Sequence, residues 1–301
     1  MQYTATDFKE VERAVREFAK HPHAEVRMLA TSLLGREIPL VSLGNGSKCV
    51  LYVGAHHGME GITAGVLLDF VRDYLGALSR KESHYGCPME YLHETRRILV
   101  VPMLNPDGVE YALHGLGAYN PLGERVIAMN GERGRDLSRW QANARGVDLN
   151  HNYDAGFMAY KQKEREAGIF GGAPTRYSGE YPESEPETAA LARLLRMLGE
   201  QLLGVLTLHT QGEEIYCSCA DHLTAKTMAA GRALARLTGY RLARPEGLSA
   251  FGGLTDYCIE SLHRPSYTLE CGRGENPLPP SDRTLIYAKL RRALFSFPFL
   301  L

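Results

Sequence analysis

Two adjacent histidines and a glutamate, in the stretch GAHHGMEG at 54–61, follow the apolar run VLYVGA (50–55). A second apolar run, LLGVLTL, ends on His209, and a third, YTLECG, carries Glu270. A fourth, ILVVPML, leads into Asn105-Pro106-Asp107-Gly108. Two imidazoles and one carboxylate, with a fourth position left for water, are what zinc commonly takes in a catalytic site. His57 and Glu60 are close enough in sequence for one turn to present both, and His209 arrives from elsewhere, as a third ligand often does. A lone histidine at a strand end is ordinarily a packed or surface residue, and His-x-x-Glu alone arises often by chance. The combination points to a metal: ligand-type residues at two strand ends and a further carboxylate at another.

Elements able to position these residues are legible along the chain. Residues 6–19 read as an amphipathic helix with a Thr-Asp start. EIPLVSLGNG (37–46) alternates and turns at Asn-Gly, which predicts a hairpin with CVLYVGA at 49–55. Helices are expected at 62–78, 187–201, 225–239 and 283–297, and buried strands at 96–105, 202–210 and 264–272. Strands alternate with helices, and several strands are apolar on both faces. The expected fold is therefore α/β, a single domain over 1–301 with a mixed sheet covered on both sides. Residues 106–186 are rich in Gly, Asn and Pro with little periodicity, as in a loop region that builds a site.

Composition narrows the function classes. With 34 Lys+Arg against 35 Asp+Glu in 301 residues, no basic excess points to nucleic acid. No apolar stretch reaches the length of a membrane span. The first residues, MQYTATDFKEVERAV, show no apolar core of a secretory signal. The expectation is a cytoplasmic protein whose six cysteines, including the Cys217-x-Cys219 pair, are free thiols.

The ordered segments GAHHGMEG, VPMLNPDGVEY, WQANARGVDLNHNYDAGF, LLGVLTLHTQG, GGLTDY and YTLECG resemble the zinc carboxypeptidase family of the carboxypeptidase A type, over essentially the whole chain. The resemblance implies that family's fold, a mostly parallel twisted sheet of about eight strands with helices on both faces. It implies one Zn²⁺ per chain held by His57, Glu60 and His209, with Glu270 as general base and acid. His56 is then a neighbour rather than a ligand. Where the family places an oxyanion-binding arginine, this sequence has Gln141, so Arg139, Gln141 and Arg145 are the candidates for that role. The family's Asn-Arg clamp for a terminal carboxylate reads Asn150-His151, and the bidentate fork of the arginine is lost. Leu248 stands at the position of the family's mobile tyrosine. Thr255 matches the floor of the side-chain pocket, Arg273 is a candidate for a substrate carboxylate, and Asp148 for orienting a zinc-bound histidine.

Within the family, ANARGVDLN, GGAPTRYSGEYPESEPE and ECGRGENPLP are most similar to the bacterial γ-D-glutamyl-meso-diaminopimelate peptidases. The implied substrate is a murein-derived peptide, and the expected organisation is a single catalytic domain without wall-binding repeats. Two other enzymatic readings compete: a carboxypeptidase of ordinary L-peptides and an N-acyl amino acid deacylase. A non-catalytic binding module with a vestigial metal site is the third.

Overall fold

A computed structural model of the chain describes residues 4–217 and 223–301. The strands are β1 (Ala24–Thr31), β2 (Glu37–Leu43), β3 (Cys49–Gly54), the two-residue β4 (Ser83–His84) and β5 (Cys87–Pro88), β6 (Arg97–Val101), β7 (Leu202–His209), β8 (Glu214–Tyr216), β9 (Arg241–Ala243) and β10 (Ser266–Glu270). The helices are α1 (Phe8–Phe18), α2 (Ile62–Ser79), α3 (Met89–Thr95), α4 (Pro106–His114), α5 (Gly123–Met129), α6 (Phe157–Glu166), α7 (Pro186–Leu198), α8 (Ala225–Thr238), α9 (Leu254–Asp256) and α10 (Arg283–Ser296). Their ends follow local chemistry. Asp7 caps α1 by accepting the Glu10 N–H, and Thr224 caps α8 by accepting that of Thr227. α8 stops at Gly239, which takes the left-handed conformation that glycine tolerates best.

Eight strands form one mixed sheet in the order β1-β2-β6-β3-β7-β10-β8-β9, and β4 and β5 form a separate pair. The centre, β6-β3-β7-β10, is parallel throughout. The sheet separates two cores. Val50, Tyr52, Leu206 and Leu208 face α1, α2, α8 and α10 on one side. Leu51, Val53 and Val205 face α7 and the Leu254–Cys258 region on the other. Residues alternate between the two cores along β3, as the pleat requires. A third cluster, around Tyr111, Val126 and Trp140, lies under the 106–146 segment, which holds α4 and α5 rather than loop alone.

The expected hairpin between 37–46 and 49–55 does not form. β6 lies between β2 and β3, antiparallel to the first and parallel to the second. The Asn-Gly turn instead carries the chain past the end of α3. A Cβ on Gly44 would sit 2.3 Å from the Arg96 carbonyl oxygen, and one on Gly46 2.4 Å from the backbone of Thr95 and Arg96. These glycines permit the crossing that leaves room for β6. The hairpin partner of β2 is β1. The five described cysteines are free, and Cys219 lies outside the described residues. Among the described residues no helix is long and apolar enough to cross a membrane.

Candidate active site

The carboxyl ends of β3, β7 and β10 are neighbours, with Gly54 opposite Leu208 and His209 opposite Glu270. Ligands of open α/β sheets bind beyond such ends. After β3, Ala55 takes a left-handed φ of 48°, and its N–H donates to Thr63 Oγ1 at 2.8 Å. The chain turns out of the sheet there, and extended His57 enters the short helical turn Gly58–Glu60. Two other loops press against that turn. A Cβ at Gly58 would lie 2.3 Å from the Gly108 carbonyl oxygen and 2.7 Å from that of Trp140. Buried Asn105 stitches the three loops, its Nδ2 donating to the carbonyls of His56, Gln141 and Ala142 at 2.9, 3.2 and 3.1 Å. Its Oδ1 accepts the Gly108 N–H. Asp107 serves the outer side, accepting from Ser32, Arg36 and the Leu34 N–H.

His57, Glu60 and His209 come together. His57 Nδ1 lies 2.9 Å from one Glu60 oxygen, His209 Nδ1 lies 3.1 Å from the other, and the two nitrogens are 3.2 Å apart. Two ring nitrogens and a carboxylate converging this closely form a group that could hold a metal ion. The local electrostatics agree. Burial alone would lower the His57 pKa, yet the Glu60 and Asp148 carboxylates outweigh it and hold the ring well above its ordinary value. Asp148 Oδ1 faces His57 Nε2 at 3.2 Å. With Nε2–H donated there, Nδ1 faces inward, where a bound metal would displace its proton, as in carboxylate–histidine–zinc arrangements. The donor set fits Zn²⁺. His56 is engaged elsewhere, with Tyr153 Oη and Thr207 Oγ1 at its two nitrogens.

A cavity of about 300 Å³ opens beside this cluster. Glu270 lines it, and burial, reinforced by the Glu60 and Glu214 carboxylates, raises its pKa. Gln141, Asn150, His151, Thr255 and Leu248 line it as well. The Gln141 amide oxygen accepts from the Thr175 hydroxyl. Asn150 Oδ1 accepts the Leu254 N–H at 3.2 Å. His151 stacks on Tyr160 with ring centroids 4.0 Å apart, and its Nδ1 lies 2.9 Å from the Phe251 carbonyl oxygen. A carbonyl only accepts, so Nδ1 carries the proton. Burial lowers the ring's pKa, and the neutral ring presents a lone pair at Nε2. On the floor, Thr255 Oγ1 and Thr268 Oγ1 are 2.9 Å apart, with Ser266 Oγ at 3.3 Å from the first.

Three expected residues do not reach the cavity. Arg139 is turned outward onto Glu275, Arg145 onto Glu185 at 3.7 Å, and Arg273 onto Glu213 at 2.9 Å. Each guanidinium is captured by an acid distant in sequence. The cavity's lysine and arginine content, among the described residues, is one side chain that the sequence reading did not single out, Arg176. It lies within the GGAPTRYSGEYPESEPE segment, but nothing in that segment's pattern shows where the side chain goes.

The chain matches the family model described as zinc carboxypeptidase over residues 11–289. It is 32% identical over 267 residues to "Gamma-D-glutamyl-L-diamino acid endopeptidase 1" of Lysinibacillus sphaericus, covering 89% of this chain and 65% of that protein's length. The carboxypeptidase A of Helicoverpa armigera superposes with a TM-score of 0.73 at 18% identity, covering 98% of this chain and 73% of that one. The murein-tripeptide amidase MpaA of Escherichia coli O157 gives 0.53 at 21% identity, covering 91% and 92%. At these identities the solved structures establish a shared fold.

Proposed function

The chain belongs to the zinc carboxypeptidase family and is a metallopeptidase, and from that premise we propose that it hydrolyses the amide between γ-D-glutamate and meso-diaminopimelate in murein-derived peptides. The observation that carries this reading is the floor of the cavity. Hydroxyls of Thr255 and Thr268 line it, fully buried Ser266 backs Thr255 from beneath, and buried Asp256 stands beside them. Such a floor suits a side chain bearing both an ammonium and a carboxylate, and disfavours a large apolar one, whose burial would strand these polar groups. The relative from Lysinibacillus sphaericus, named for cleavage at a γ-D-glutamyl-diamino acid bond, supports the same substrate class.

His57, Glu60 and His209 would hold the zinc, which when bound supplies Lewis-acid activation of water and of the scissile carbonyl. Asp148 fixes the His57 tautomer from behind. Glu270 takes the proton from the attacking water and delivers it to the leaving amine, in keeping with a carboxyl whose proton affinity is raised by its surroundings. Gln141, its amide oxygen tied to Thr175, is left with its N–H₂ as a neutral donor for the developing oxyanion. Arg139, paired with Glu275, leaves that role to Gln141.

Mass spectrometry of products after zinc-loaded protein meets L-Ala-γ-D-Glu-meso-diaminopimelate tests the proposal. The expected products are L-Ala-D-Glu and free diaminopimelate, absent with Glu270→Ala. Intact tripeptide at stoichiometric zinc, or faster cleavage of an ordinary L-peptide or an N-acyl amino acid, would overturn it.

A further inference from the structure

His151 stands where the family pattern has the arginine of a carboxylate clamp, and it cannot replace that arginine. Its Nδ1 proton is committed to the Phe251 carbonyl and its ring is locked against Tyr160. A neutral ring so held offers a lone pair, which repels a carboxylate. The substrate's carboxylate needs another cation, and Arg139, Arg145 and Arg273 are each spent on an acid outside the cavity.

We infer that Arg176, together with Asn150, receives the terminal carboxylate of the residue on the amine side of the scissile bond. The two residues are brought together by one buried group. The N–H of Asn150 donates to Asp148 Oδ1 at 3.1 Å, and the N–H of Arg176 donates to Asp148 Oδ2 at 2.9 Å. Their backbones therefore lie side by side on one wall, next to the metal ligand His57, which the same carboxylate orients. The Asn150 amide oxygen is held by the Leu254 N–H, so its Nδ2 is the group left to donate. The Arg176 guanidinium has no ion pair or hydrogen bond among the described residues, and it lines the cavity. Its backbone is fixed in an unusual way. Arg176 adopts a φ of 65°, a left-handed conformation that costs a residue with a Cβ, and is pinned there by Asp148 on its N–H and by Tyr160 Oη on its carbonyl at 3.0 Å. Tyr160 is also the ring stacked on His151. One carboxylate and one phenol thus fix the backbone of Arg176, and that phenol's ring is the one packed on His151.

The inference rests on the peptidase reading, and the test separates the two. Arg176→Gln and Arg176→Lys are compared with the parent chain, after folding and zinc content are matched by circular dichroism and metal analysis. Each is given L-Ala-γ-D-Glu-meso-diaminopimelate as the free acid, as the amide of the diaminopimelate terminal carboxylate, and as the amide of the glutamate α-carboxylate. An ordinary N-acyl dipeptide is used as free acid and as amide. Turnover is measured, and affinity is measured by calorimetry in the zinc-loaded Glu270→Gln background. Loss of a charged, two-donor contact should weaken binding of the free acids by about 30- to 100-fold and raise KM with kcat little changed. Binding of the terminal amides should stay within a few-fold, and Lys should recover part of the loss. Equal loss on acid and terminal amide, or a loss confined to peptides with a free glutamate α-carboxylate, would overturn the assignment. If the parent chain turns over only the ordinary dipeptide, the murein reading falls, and acid-selective loss in that series still upholds Arg176.

Discussion

Glu187 is a buried carboxyl that the catalytic argument does not use, and it makes a quantitative prediction. It sits in the first turn of α7, where helix N–H groups favour negative charge. Burial works the other way. Its Oε1 has no hydrogen-bond partner among the described residues, its Oε2 is 3.5 Å from Asn143 Nδ2, and the Glu185 carboxylate repels it. Burial wins, and the pKa is raised from 4.5 to about 8. Because the folded value is the higher one, the unfolded chain loses its proton first as pH rises, and stability falls between these two values. At about 1.4 kcal/mol per pH unit, the loss by pH 8 is on the order of 4–5 kcal/mol, and it then levels off. Glu187→Gln keeps the shape and removes the charge. Denaturant unfolding from pH 4.5 to 9 should show variant and parent nearly equal at the acid end. The variant should gain steadily to pH 8, where its thermal midpoint stands roughly 10 °C higher. Parallel curves, or a difference that shrinks as pH rises, would refute the reasoning.

Other outcomes follow from the site. Glu270→Gln should lower kcat about 10²- to 10⁴-fold on the murein tripeptide while zinc content, read by mass spectrometry, stays at the parent level. Asp148→Asn should weaken zinc about 10- to 100-fold in a competition with a chelator, since His57 loses the carboxylate that orients it. Gly58→Ala should destabilise the fold by about 2–4 kcal/mol in chemical denaturation, because the added methyl meets the backbone carbonyls of Gly108 and Trp140 rather than a movable side chain.

The α/β class, the two-sided sheet and the convergence of His57, Glu60 and His209 were legible because apolar runs and strand ends are written locally. β1 was not, because it is an edge strand with no buried residue and no alternation strong enough to read. β8 and β9 have three residues each, too few for any pattern. The Asn-Gly turn was read as a hairpin, yet its glycines serve contact with residues 95–96 some fifty positions away. Arginines were the hardest to place. Glu275, Glu185 and Glu213 capture Arg139, Arg145 and Arg273 through contacts that only the folded chain reveals. Arg176 enters the cavity from a loop residue of positive φ, where neither period 2 nor period 3.6 applies.

The double hold of Asp148 has a consequence for redesign. One carboxylate faces the candidate metal ligand His57 and anchors the backbone of both Asn150 and Arg176. Rebuilding the 140–150 loop to change substrate preference would disturb metal retention in the same stroke, and selections on such libraries would return metal-poor proteins. Swapping the side chain at 176 alone leaves every one of those backbone contacts in place. Preference for charged against neutral chain ends should therefore drift in this fold one side chain at a time, with the loop lengths around Asp148 held constant.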